Sequence, residues 1–353
     1  MKILFLLAAS LGASLASHVG WGDHADSPMN LEPRLFLARD SAGWKEFRNQ
    51  YGHLRQFRNS TEEEFHARIF QDSEAMVKAQ NDKFARGESG FDMALNHFAD
   101  MTEAEYRALL PPISHKDVHE LQSLSMPFVK TNEAHGRRKR DVNWQHLTPT
   151  VKDQGTCGSC YAFAAVDALE AAIKKKTGVQ YRLSEQDLVD CSGLHGNHGC
   201  DGGNMAKAFN YIKSTGINLE ARYPYTGAVG TCRHNAASNV KANLTGYAFF
   251  GWPNGDEAAL QKALSTVGPI AIGLNANRSF MMYSKGVFDE PNCDPKGINH
   301  AVMAVGMASE NGKQYYLIKN SWGTWWGDRG YIRMAAGKDL CGLARMCSYP
   351  VLG

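Results

Sequence analysis

Along residues 160–178 the large apolar side chains Phe163, Val166, Leu169 and Ile173 recur three or four apart on an alanine-rich background, followed by Lys174, Lys175, Lys176 and Gly178. That spacing predicts a helix with a buried face, starting at Cys160 and stopped by Gly178. Nearer the N-terminus, Trp44, Phe47 and Tyr51 recur at helical spacing. A longer helical pattern from Glu62 to Asn81 carries Phe65, Ile69, Phe70, Met76 and Val77. Together these predict a small helical domain with its own core, and a short strand is expected at 94–98, before Asp100. In the C-terminal third the pattern becomes β-prone. A loop, Gly297-Ile-Asn-His300, enters the apolar run 301–306, and 314–319 reads as a further strand ending at Asn320.

The first residues change the setting of these elements. Lys2, the short apolar run 3–9 and the small residues 14–16 read as a secretory signal peptide cleaved near Ala16. The run is too short to span a bilayer, and no later stretch is long enough. With 353 residues and 43% hydrophobic content there is material for two domains or more. The net charge of +2 gives no argument for nucleic acid or an anionic membrane as partner. All eight cysteines lie between Cys157 and Cys347, whereas 18–140 is polar and cysteine-free, so two differently built regions are expected. The boundary carries Arg137-Arg138-Lys139-Arg140. Behind a signal peptide such a tract reads as a processing site, with a mature chain beginning near Asp141.

Candidate chemistry concentrates in Gln154-Gly-Thr-Cys157-Gly158-Ser-Cys160-Tyr161. A helix N-terminus at Cys160 favours a thiolate. Spacing alone leaves two readings open for the cysteines, a redox Cys-x-x-Cys or one structural cysteine beside a nucleophile. A nucleophilic thiol needs a base and a group to orient it. His300 at its loop–strand junction is the best base candidate, Asn320 at a strand end can orient an imidazole, and Trp322 can shield that hydrogen bond. Cys191, His195, His198 and Cys200 have the spacing of zinc ligands. In an oxidising compartment two disulfide halves are the expected reading, and no metal is expected.

Taken with Cys200-Asp-Gly-Gly203, Tyr223-Pro-Tyr225, Val267-Gly-Pro269 and Tyr349-Pro350, these residues make the chain resemble the papain-like cysteine peptidases of the cathepsin L-like group. The resemblance covers nearly everything after the signal peptide. It implies an α+β, papain-like fold with a helical left domain, a β-barrel-like right domain and a cleft between them. A signal peptide over 1–16 and a pro-region over 17–140 would precede a mature peptidase over 141–353. Within the pro-region, a helical inhibitor domain over about 41–106 would be followed by a linker through the cleft.

The resemblance also implies roles. Cys160 would be the nucleophile, resting as a thiolate–imidazolium pair with His300. Gln154 would be an oxyanion donor, and Asn320 would orient the base. Disulfides would join Cys157 to Cys200, Cys191 to Cys232 and Cys293 to Cys341, leaving Cys347 as an inert buried thiol. Gly158, Gly202, Gly203 and Trp322 would contact substrate. Met205, Ala276, Ile298, Ala301 and Met346 would line an uncharged pocket for the residue two before the cleaved bond, called P2. The implied activity is endopeptidase, without a cofactor. Its partners would be protein and peptide substrates, its own pro-region and cystatin-type inhibitors, with no nucleic acid or membrane, and the protein a monomer. Sequons at Asn59, Asn243 and Asn277 suit secretion or lysosomal delivery. Four positions depart from the pattern: His66 and Ser73 replace an arginine and an asparagine, Ala94 a glycine, and Tyr161 a tryptophan.

Overall fold

The computed structural model describes residues 38–111, 113, 118–128, 141–240 and 242–353. The expected signal peptide at 1–16 and basic tract at Arg137–Arg140 lie outside the described residues. Two helices build the N-terminal unit, α1 (Ala42–Tyr51) and α2 (Ser60–Ala85). Ser41 and Asn59 cap them, their side-chain oxygens accepting from Trp44 N and Glu62 N at 3.1 and 2.9 Å. Trp44 and Phe47 pack on Phe70, with ring centroids 5.7 and 4.7 Å apart.

The α2 face differs from the one its largest apolar residues suggest. Phe65 is 44% exposed, and the buried side runs through His66, Phe70, Ser73 and Val77. The two polar members can sit inside because the following loop brings each a carbonyl. His66 Nδ1 lies 2.7 Å from Asp100 O, and Ser73 Oγ donates to Ala99 O at 2.6 Å.

The strand expected at 94–98 is displaced. It forms at β1 (Phe91–Met93), where Asn81 Nδ2 donates to Met93 O at 2.9 Å and Met93 N donates to Asn81 Oδ1 at 2.8 Å. Ala94 N makes a last bond to Met282 O. Thereafter Asn96 turns the chain by accepting Phe98 N on its side chain and Ala99 N on its carbonyl. A local side-chain cap wins over the extended conformation expected at 94–98.

Nor does this unit keep a core to itself. Phe91 packs on Phe288 at 4.6 Å, β1 pairs antiparallel with 283–288, and Trp44 and Phe70 belong to one apolar cluster with Phe280 and Trp322. Helices α3 (Glu103–Leu109), held by a Thr102–Glu105 capping box, and α4 (Val118–Leu124) then carry the chain across the main body.

The main body has a helical half and a strand half. In the first, α5 (Cys160–Thr177) is buried continuously from Cys160 to Ala171 and stops at Gly178 with φ 75°, a left-handed cap that glycine adopts without strain. Helices α6 (Glu185–Cys191) and α7 (Met205–Thr215) pack beside it. The strands of the second half are β2 (Val142–Asn143), β3 (Leu244–Phe250), β4 (Ile270–Leu274), β5 (Tyr283–Phe288), β6 (His300–Glu310), β7 (Lys313–Lys319), β8 (Tyr331–Ala335) and β9 (Met346–Leu352). They run in the order β1-β5-β8-β7-β6-β4-β9-β3, with β2 on β6; β5 and β8 pair in parallel and the others antiparallel. Helix α5 rests against β6 and β9, which sets the start of α5 beside the start of β6.

Disulfides join Cys157 to Cys200, Cys191 to Cys232 and Cys293 to Cys341. The two cysteines of the 191–200 stretch therefore go to different partners. His195 Nε2 sits 3.0 Å from Ser214 Oγ, an arrangement that assembles no zinc ligand set from these residues.

Candidate active site

Cys160 opens α5 and His300 opens β6, so a thiol and an imidazole come from element starts on opposite halves of the molecule. The backbone N–H of Ala301, next after His300, points at the Cys160 sulfur together with those of Tyr161 and Cys160 itself. His300 Nε2 lies 2.8 Å from Asn320 Oδ1. Since that oxygen can only accept, Nε2 carries the proton and Nδ1 is the nitrogen left for the thiol. Nδ1 has no hydrogen-bond partner among the described residues. Trp322 lies nearly parallel to the imidazole at 4.6 Å and 24°, and is 1% exposed, which keeps water from the His300–Asn320 bond.

With the N-terminal unit in place, the pair is buried, Cys160 at 4% and His300 at 0% exposure. Burial pushes the Cys160 thiol up to about 11, against the three backbone N–H groups that pull it down. Burial likewise drives His300 down to about 4, and the Asn320 bond offsets only part of this. Burial in the covered site thus disfavours the thiolate and the imidazolium alike. The thiolate–imidazolium pair expected at rest requires that the cover be removed and the charges be solvated.

Gln154 is fully buried and its amide is fixed at both ends. Ser321 Oγ donates to Oε1 at 2.7 Å, and Nε2 donates to Cys157 O at 2.9 Å, leaving the second Nε2 proton for a ligand. Ser321 N also donates to Asn320 Oδ1 at 2.8 Å, so one residue holds both the Asn320 and the Gln154 side chains. Tyr225 OH donates to Gln154 O at 2.8 Å and contacts Ser159 Oγ at 2.7 Å. Sequence reasoning passed over Ser321 and the role of Tyr225, although one follows Asn320 directly and the other ends the Tyr223-Pro-Tyr225 motif.

Met205, Ile298, Ala301 and Met346 come together in one buried apolar cluster with Cys160 and Tyr161. Strand register explains part of it: Ala301 on β6 and Met346 on β9 both stand opposite Gly273 on β4, whose missing side chain leaves the space between them. Gly273 carries no sequence signal beyond being a glycine in an apolar strand. Ala276 stands apart from the cluster, in the other core group, its carbonyl accepting from Tyr106 OH at 2.5 Å.

The covering segment occupies these places. Ile113, 5% exposed, joins the Met205–Ile298 cluster, and its N–H donates to Ile298 O at 3.1 Å. Pro111 lies over Gly158 and Gly202, where an added Cβ would stand 3.1 and 3.0 Å from its ring. Gly202 also has φ 101°. At the far end, Phe98 meets Trp322 edge-on at 5.0 Å.

Tyr161 is held in the site by a hydrogen bond of its own. Its ring is fully buried beside Gly203, and its hydroxyl donates to Gly199 O at 3.2 Å. Cys347 is enclosed as well, with a thiol raised by burial and turned to Leu343 O.

Known proteins resemble most of this chain. A family model described as papain family cysteine protease matches residues 138–351, and one described as cathepsin propeptide inhibitor domain (I29) matches 44–106. The chain is 43% identical over 323 residues to digestive cysteine proteinase 3 of Homarus americanus, covering 90% of this chain and 97% of the relative. It is 39% identical over 322 residues to procathepsin L of Mus musculus, covering 88% and 92%. The solved structure of digestive procathepsin L 3 from the larval midgut of Tenebrio molitor superposes with a TM-score of 0.79 at 35% identity, over 88% of this chain and 100% of that one.

Proposed function

Since this chain belongs to the papain family of cysteine proteases, as a cathepsin L-like proenzyme with its own inhibitor domain, we propose that Cys160 carries the reaction and that cleavage prefers an apolar residue at P2. Once the cleft is open, His300 Nδ1 takes the thiol proton and the thiolate attacks the scissile carbonyl. The developing oxyanion accepts from Gln154 Nε2 and the Cys160 backbone N–H, a donor pair of which each member is worth on the order of ~3 kcal/mol. His300 returns its proton to the leaving amine, and water then hydrolyses the thioester with His300 again as base. Asn320, aligned by Ser321, holds the imidazole plane throughout. The roles of Cys157 and Cys160 are divided on this reading, since the first is bonded to Cys200 and only the second is a free thiol.

The P2 preference rests on one observation: the chain's own Ile113 fills the Met205–Ile298–Met346 cluster. That enclosure is uncharged, so a guanidinium or ammonium there would be buried without a partner. A P2-randomised peptide library is expected to give a profile led by Leu, Val and Phe. A profile led by Arg or Lys would refute the assignment.

We assign the pro-region to 17–140 and the mature enzyme to 141–353, on the Arg137-Arg138-Lys139-Arg140 tract and the cysteine boundary. N-terminal sequencing of the active enzyme is expected to start near Asp141; retention of residues before Arg137 would contradict this. The disulfides and sequons support a lysosomal or secreted destination.

A further inference from the structure

We propose that Trp325, held by Asp153, forms the floor of a subsite on the leaving-group side of the cleft that takes a planar ring, aromatic or imidazole, from the substrate. The inference rests on the Cys160–His300 assignment above, which fixes the two ends of the cleft. Ile113 marks the P2 end, and Phe98 on Trp322 marks the other. His300 lies under Trp322 and must reach the departing amine, so residues after the scissile bond pass along the Trp322 side.

Trp325 sits three residues beyond Trp322 and is built to present its ring. Its Nε1 donates to Asp153 Oδ2 at 3.3 Å. Gly323, at φ 73°, lets the indole fold back on its own loop, since a Cβ there would collide with Trp325 Nε1. Asp153 is itself fixed, its Oδ1 accepting Gly155 N at 2.9 Å. Yet the indole is 41% exposed even with the N-terminal unit docked, one of few large apolar side chains so exposed among the described residues.

The docked unit shows what the indole receives. His97 lies against it with ring centroids 4.0 Å apart at 60°, and Phe98 follows at 5.8 Å and 61°. An imidazole and a phenyl ring from the inhibitory region thus occupy the place that the leaving-group residues of a substrate would cross. Beside them a cavity of about 380 Å³ remains open, bounded on the enzyme by Asp153, Gly155, Thr156 and Trp325. Departure of the unit bares the face that His97 covered. A ring from substrate restores that contact by stacking, and the Asp153 carboxylate favours one with a positive edge or a protonated imidazole.

The test uses the processed enzyme and internally quenched peptides, identical through P1 and carrying Ala, His, Phe or Trp at each of the three positions after the scissile bond. In wild type, kcat/KM is expected to favour a ring over alanine at one of these positions. In Trp325→Ala that ratio is expected to fall at least fivefold, through KM, and Trp325→Phe is expected to retain most of it. A ratio unchanged in Trp325→Ala, or no ring preference in wild type, overturns the proposal and leaves Trp325 as a docking post for the inhibitory region. Failure of wild type to cleave any of the peptides would instead count against the Cys160–His300 reading.

Discussion

Proenzyme carrying Cys160→Ala is expected to fold with its three disulfides intact and, once freed of its pro-region, to turn over peptide about a millionfold more slowly than wild type. The magnitude follows from chemistry that no neighbour can replace. Cys347, the other free thiol, is enclosed and raised by burial. His300 and the Gln154 donor would remain in place, but with nothing to bond to the carbonyl they retain only binding and oxyanion stabilisation. Stability should change little, since the thiol is small and makes no side-chain ion pair. The same pair predicts a difference between the two forms of the wild-type protein. In the covered form a thiol near 11 beside an imidazole near 4 is almost wholly neutral at pH 7, so iodoacetamide should alkylate Cys160 far more slowly before processing than after. Residual activity of Cys160→Ala within a hundredfold of wild type, measured after titrating out trace contaminating protease with a thiol-directed inhibitor, would place the nucleophile elsewhere.

The parts of the site that sequence made legible are those whose chemistry is local. Cys160 follows a Gly-Ser pair and opens an alanine-rich amphipathic helix, so its place at a helix N-terminus is legible from neighbouring residues alone. Asn320 and Trp322 stand together at a strand end and remain together in space. What sequence left hidden depends on partners distant along the chain. Ser321 gains its role because Gln154, 167 residues earlier, lies within reach of its hydroxyl. Gly273 lies between Ala301 and Met346 only because β6 and β9 flank β4. The buried face of α2 departs from its apolar pattern for a related reason: hydrophobicity ranks Phe65 above His66 and Ser73, but carbonyls of the 96–100 loop make the polar pair the better fit to the interior. The strand at 94–98 gives way to a three-residue strand just before it, where Asn81 completes the backbone pairing. Tyr161, a departure from the family pattern, is accommodated because Gly199 O accepts its hydroxyl.

His97→Phe is expected to move acid release of the pro-region to lower pH by about one unit. His97 is packed between Trp325 and Phe98, and burial, aided by the nearby Arg55 guanidinium, lowers it from 6.5 to about 4. A base with a docked pKa below its free value binds fewer protons when docked. Its docked state is therefore fully favoured above pH 6.5 and weakens as the pH falls, until about pH 4, where both states are charged. At 1.36 kcal/mol per unit, the loss across that window reaches about 3 kcal/mol, enough to undo a contact that is tight at neutral pH. Two neighbouring carboxylates do not supply this window. Asp100 is raised by burial against the pull of Arg55 and His66, so its contribution has the opposite sign and favours docking at low pH. Glu105 is also pushed up by burial but is lowered on balance by its bond to Arg55, so it weakens docking only once the pH falls to the ordinary carboxylate range. Tyr51, raised by burial, stays neutral. Phenylalanine keeps a ring on Trp325 and removes the proton, which separates titration from packing. In a Cys160→Ala background, where self-cleavage is absent, sensitivity of the pro-region to an added acid-active protease should begin near pH 6 with His97 and near pH 5 with phenylalanine. Identical profiles for the two proteins would show that the charge on this imidazole does not drive release.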